Sequence, residues 1–139
     1  MPVYLDWAGA ENGSRNARTV ARYNRLMQQL ADRSRQPGFA KSDWHELEEV
    51  VSPAEFRRFG NFLDQQDWEK YIDLLHAWAP TSKSFTTNFR RMTDHEGLVF
   101  VELEEIHDAG AVNSIALYEL NDSGKIVRLH IYLQMPRAA

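Results

Sequence analysis

The apolar pattern of this chain changes period once, and that change limits the fold more than any single motif does. Up to Pro80, apolar residues recur at steps of three and four; beyond Ser84 they recur at steps of two. The first spacing makes a stripe along a helix and the second makes one face of a strand. In "NARTVARYNRLMQQLADRSR", Val20, Tyr23, Met27 and Leu30 form one stripe, with Leu26 beside it. Ser14 or Asn16 can cap this helix, and "QPGF" ends it through Pro37 and Gly38. "KSDWHELEEVV" predicts a short helix ending at "SP", with Ser42 or Asp43 as N-cap and Glu46 placed for a capping box. "AEFRRFGN" is a short strand candidate closed by Gly60. "DQQDWEKYIDLLHAWAP" predicts a third helix, with Trp68, Tyr71, Ile72, Leu75 and Trp78 on its stripe and Pro80 at its end.

Four strands then follow: "SFTTNFRRM", "LVFVELEEIH", "VNSIALYEL" and "KIVRLHIYLQ". The turn sequences "TDHEG", "DAGA" and "NDSG" separate them. Connections this short favour antiparallel neighbours, because a parallel crossover needs about a dozen residues or more. Helices first and a strand meander second is an α+β layout, with the helices on one face of a sheet. A chain of 139 residues suits one core. Residues 1–15 are expected to be an irregular arm and residues 16–139 one domain.

The strands sort by face. Val99, Val101, Leu103, Leu129, Ile131 and Leu133 are expected to face the helices. Phe100, Glu102, Glu104, Arg128, His130 and Tyr132 fall on the other side. "VNSIALYEL" is apolar on both faces and so does not sort; Ile115 and Leu117 on the outer side would mean that this face is partly covered, for instance by a second subunit.

Composition removes several functions. Net charge is −4 with the two signs interspersed, so nucleic acid is not the expected partner. The absence of cysteine removes thiolate chemistry and disulfides and fits a reducing cytoplasm. No apolar run approaches the ~18 residues that span a bilayer, and "MPVYLDWAGAENGS" lacks the regions of a signal peptide, so no membrane is expected. "DHE" at Asp94 to Glu96 and "EEIHD" at Glu104 to Asp108 match no zinc spacing, and no metal or cofactor is expected.

"TVARYNRLM", "DWHELEEVVSP" and "ALYELNDSGKIVRLHIYLQ", in this order, resemble the nuclear transport factor 2-like superfamily over residues 16 to 135. That family includes ketosteroid isomerases, SnoaL-like polyketide cyclases, scytalone dehydratases and limonene-epoxide hydrolases. The resemblance implies a cone-shaped fold, a strongly curved antiparallel sheet with three helices on its concave face. It implies a pocket between that face and the helices, and a homodimer packed through the outer face. Ketosteroid isomerases bind an oxyanion with a first-helix tyrosine, which matches Tyr23. Their acid position matches Ala116, and their base position falls near Arg58 or Phe59. The aspartate of SnoaL-like cyclases matches Ile131. The acid and base positions are therefore mostly apolar, and the resemblance names no general base.

Each candidate has two readings. Tyr23 either donates to a developing oxyanion or is a core tyrosine with a partnered hydroxyl. Arg58 binds an oxyanion if its strand turns it inward, and is otherwise a solvated edge residue. Ser114 and Tyr118 share the face of Ala116 and either orient a ligand or simply pack. His76, in "LLHAW", is an acid or base, or is hydrogen-bonded at the helix surface. Val101, Leu103, Leu129 and Ile131 would line the pocket. Two functions stay open: a cofactor-free isomerase, dehydratase, cyclase or epoxide hydrolase for a small apolar substrate, or a non-catalytic ligand-binding or protein-interaction module.

Overall fold

The structure, a computed structural model, describes residues 13–61, 64–83, 85–108 and 110–133. The expected arm lies almost wholly outside them. Helix α1 spans Arg15–Arg33 and is capped by Ser14, whose Oγ accepts from the Ala17 amide at 3.1 Å. It stops before Pro37, where Ser34 turns its hydroxyl onto the Ala31 carbonyl at 2.6 Å. A 3-10 helix then covers Lys41–Glu49. Its start differs from the expected box. The Asp43 carboxylate accepts from the Ala40 amide at 2.8 Å, while Glu46 pairs with Arg33 at 3.0 Å.

Strand β1, Arg57–Phe59, pairs with β2, Gln65–Gln66. The glutamines were expected to lead into the third helix. Asp67 caps that helix instead, accepting from the Lys70 amide at 2.9 Å, and so leaves them free to pair. Helix α2 spans Trp68–Trp78. The meander follows as β3 (Phe85–His95), β4 (Leu98–His107), β5 (Gly110–Leu120) and β6 (Ile126–Leu133).

The six strands form one sheet in the order β2-β1-β6-β5-β4-β3. The meander is antiparallel throughout. The β1–β6 pair is parallel, aligning Arg58 with Leu129, and the chain between them holds α2 and four strands, ample for a crossover. Arg90 is an extra residue in β3, because pairing passes from Phe89↔Leu103 to Arg91↔Glu102. Such a bulge bends and twists a strand, which suits a sheet wrapped around helices.

The core lies between the helices and the concave face. Trp44, Phe56, Leu30, Leu47, Ile72, Val99, Val101 and Leu129 are all buried there. Each such side chain stabilises the fold by about 1.5–3 kcal/mol. Strand faces sort as the alternation requires, with Ile131 and Leu133 half-buried inward and Phe100, Ile115 and Tyr132 exposed outward.

Candidate functional site

The concave face does not close completely on the helices. A cavity of about 330 Å³ remains, bounded by α1, α2, β1 and the sheet. Met27, Leu74, Leu75, Trp78 and Phe85 supply apolar wall from the helices and β3. Leu103, Leu129, Ile131 and Leu133 supply it from β4 and β6. The polar wall is smaller: Tyr23, Asn24, Arg58, Tyr71, Thr87, Glu105 and Tyr118.

The two helices bring the phenols together. Tyr23 of α1 and Tyr71 of α2 sit on buried stripes, and their hydroxyls meet at 2.7 Å. One turn of helix places the Asn24 amide on the Val20 carbonyl at 2.9 Å, and the same nitrogen donates to the Tyr118 hydroxyl at 3.1 Å. The Tyr23 and Tyr118 rings meet edge-on at 5.7 Å. Tyr71 is held by Phe56, stacked at 5.4 Å, and by the Arg58 guanidinium, 5.5 Å from its ring centre. Arg58 is oriented in turn by Gln66, to which Nη1 donates at 2.8 Å, and by Asp64 at 3.8 Å.

Burial keeps all three phenols neutral. It raises Tyr23 well above the ordinary phenol range, and the neighbouring Tyr71 and Tyr118 raise it further, against a weaker opposing influence of Arg58. Burial also raises Tyr71, opposed first by Arg58 and then by the hydrogen bond with Tyr23. Tyr118 is raised by burial and relieved in part by the Asn24 amide. Neutral phenols in an apolar wall can donate to a ligand oxygen.

Of the residues expected at a site, Tyr23, Arg58, Tyr118, Leu103, Leu129 and Ile131 surround this one cavity. The other three lie elsewhere. Val101 is fully buried in the core and does not reach the cavity wall. Ser114 points inward, but it lies four residues, about 13 Å of strand, from Tyr118. It borders a second depression with Glu102, Ile115 and Tyr132. Its buried Oγ has no hydrogen-bond partner among the described residues. His76 is turned about 100° around α2 from Leu75, away from the cavity. Its Nδ1 accepts from the Trp44 indole at 3.3 Å, and Phe39 stacks on its ring at 6.2 Å. This is the hydrogen-bonded, structural reading of His76.

Several cavity residues escaped the sequence reading, Asn24 and Thr87 among them, and two matter most. Tyr71 was assigned only to the helix stripe. Glu105 is the one carboxylate of the cavity wall among the described residues. Its signal was available: continuing the inward set Val99, Val101, Leu103 by two gives Glu105. Among the described residues, no group of three or more His, Asp or Glu side chains could hold a metal ion. No helix among them is long and apolar enough to cross a membrane.

The convex face is built differently. Phe59 stacks on His130 at 4.4 Å and 10°, and His130 is followed by Tyr132 at 6.5 Å. The pairing His130↔Leu117 and Leu117↔Phe100 continues this row across the sheet. At its margin Glu102 is clasped by Arg90 and Arg91.

No protein-family model matches the chain, and no curated protein matches it in sequence. Solved structures do. A protein of Shewanella putrefaciens, provisionally named a SnoaL-like polyketide cyclase, superposes with a TM-score of 0.69 at 10% identity, covering 88% of this chain and 91% of its own. One of Jannaschia, with the same provisional name, gives 0.64 at 16% identity over 86% and 85%. An NTF2-like protein of unknown function from Pseudomonas aeruginosa gives 0.66 at 11% identity over 88% and 100%. At such identities the likeness shows the fold alone: this chain has the cone-shaped, nuclear transport factor 2-like fold.

Proposed function

We propose that this chain, one domain over residues 16–139 with an N-terminal arm, binds a small, largely apolar molecule in the concave cavity. A single observation carries the reading: an apolar cavity ends on hydrogen-bonded phenols that burial holds neutral. Apolar walls with a few placed polar groups are the usual make-up of small-molecule sites. The ligand's body lies on Leu103, Leu129 and Ile131, and its oxygen meets the Tyr23–Tyr71 pair, with Tyr118 beside it.

Arg58 and Glu105 in the same wall favour a reaction over simple binding, because charged groups in an apolar cavity can stabilise or move charge on a substrate. The reaction class is cofactor-free isomerisation, dehydration, cyclisation or epoxide opening, the chemistry of the relatives this chain resembles. Ala116 and Ile131 favour the second reading, a non-catalytic binding module, since they stand where those relatives carry acids.

The protein acts in the cytoplasm as a homodimer through the convex face. The exposed Phe100, Ile115 and Tyr132 support that dimer. Light scattering at micromolar concentration should give twice the mass of the chain, and Phe100→Asp should halve it. A wild-type monomer would remove the dimer from the proposal.

A thermal-shift screen with terpenoid, steroid and polyketide-like compounds tests the site. A hit that stabilises wild type but not Ile131→Trp, which fills the cavity, is the expected outcome. A hit that stabilises both equally would place the ligand elsewhere.

A further inference from the structure

Tyr23 and Tyr71 share one hydrogen bond, so one of their two hydroxyl protons remains for another acceptor. Which residue keeps that proton decides what a ligand meets. The two rings have different surroundings. Tyr71 has the Arg58 guanidinium 5.5 Å from its ring centre and Phe56 stacked at 5.4 Å. Tyr23 instead has the edge-on ring of Tyr118 at 5.7 Å, besides the shared bond. A cation over a phenol ring stabilises negative charge on that phenol, and this makes its O–H the stronger donor. Arg58 is the first influence opposing the burial of Tyr71, but the weakest of those acting on Tyr23. Tyr71 is also the less sealed of the two, 6% exposed against 2%.

We propose that Tyr23 donates to Tyr71 and that Tyr71 donates to the ligand, so that the cavity selects molecules with a neutral carbonyl oxygen over hydrocarbons of the same shape. This rests on the ligand-binding reading of the cavity and deepens it. Tyr23 becomes a positioning residue that acts through Tyr71. Its donation polarises the Tyr71 hydroxyl further, as chained hydrogen bonds do. Arg58 assists through its charge, fixed in place by Gln66 at 2.8 Å. Tyr118 offers a second hydroxyl, held by Asn24 at 3.1 Å; burial raises it, the Asn24 amide opposes that, and Tyr71 and Glu105 raise it further, with no opposing part for Arg58. The order Tyr23 to Tyr71 to ligand reverses the role that a first-helix tyrosine takes in the resembled isomerases.

A pair of probes tests this. 2-Acetylnaphthalene carries a carbonyl acceptor, and 2-ethylnaphthalene has nearly the same shape without one. Their affinity ratio is measured by fluorescence for wild type, Tyr71→Phe and Tyr23→Phe. Hydrocarbon affinity in each variant shows that the cavity is intact. The ketone preference should fall about tenfold in Tyr71→Phe, the worth of one buried hydrogen bond, and about threefold or less in Tyr23→Phe. The infrared carbonyl band of bound ketone should move to lower frequency in wild type, return to the unbonded position in Tyr71→Phe, and stay largely shifted in Tyr23→Phe. Equal losses, or a larger loss in Tyr23→Phe, would overturn the relay while leaving the cavity reading standing. Binding of neither probe to wild type would overturn the cavity reading and the relay with it.

Discussion

The two sides of the sheet carry two aromatic surfaces, the inner one shared with α1 and α2, and the difference between them is one of cover. On the concave side, Tyr23, Tyr71 and Tyr118 are buried, and each hydroxyl has a partner in another phenol or in Asn24. On the convex side, Phe59, His130 and Tyr132 lie in a flat stack and Phe100 is 43% exposed. Strand alternation assigns a residue to a face. What covers the face then decides what the residue can do. Helices over one side remove water, fix phenols as neutral donors and strengthen each hydrogen bond. No helix among the described residues covers the other side in this way, so Phe100, Ile115 and Tyr132 stay exposed.

The strongest break in this comparison should come from alkali. The three inner phenols have pKa values above the ordinary 10.0 in the fold. A phenol raised in this way contributes stability that is complete below the unfolded value and is lost as pH rises through the folded one. Phenolate absorbance from the inner tyrosines should therefore appear together with loss of far-UV circular dichroism, in one step above pH 10. Phenolate absorbance from all five tyrosines of the chain before any structural change would mean that the concave face is not sealed.

Phe56→Ala should have the next largest effect. Phe56 is fully buried between Trp68 and Tyr71, at 5.1 and 5.4 Å. Its loss should cost about 3–5 kcal/mol in denaturant unfolding, and loosen Tyr71 as well. Asn24→Ala should cost about 1–3 kcal/mol, since the Tyr118 hydroxyl and the Val20 carbonyl lose their shared donor.

The smallest effect belongs to the convex margin. Arg90 and Arg91 donate to Glu102 and hold its carboxyl below the ordinary carboxylate value. Glu102→Gln should cost less than about 1 kcal/mol near neutrality, given the partial exposure of the cluster. A lowered carboxyl stabilises the fold above its ordinary pKa and loses that contribution as pH falls through the lowered value. The gap between Glu102→Gln and wild type should accordingly close in acid. A gap that persists at low pH would assign the effect to packing.

Much of this arrangement was legible in the sequence. A period of two fixed which of Leu129, His130 and Ile131 look inward, because one slip of register would expose every core side chain. Helix ends were local too, as at Ser14 and Pro80. The parallel β1–β6 pair was not legible, because it joins Arg57–Phe59 to a strand about 70 residues away. The Tyr23–Tyr71 bond was not legible either, because it joins residues 48 apart, and the apolar stripe alone gave Tyr71 no role beyond the core. Glu105 was obscured by Glu104, since two adjacent acids give hydropathy no contrast between faces. Val101 was misplaced for a subtler reason: alternation finds the inner face but not how far a cavity extends along it.

One measurement reaches the central claim directly. Methyl spectra of the protein titrated with 2-acetylnaphthalene report both faces at once. A ligand in the concave cavity should shift the methyls of Leu103, Leu129 and Ile131 and leave those of Ile115 and Leu117 in place. Shifts confined to Ile115 and Leu117 would contradict it, placing the ligand on the convex face and leaving the phenol-ended cavity without its role.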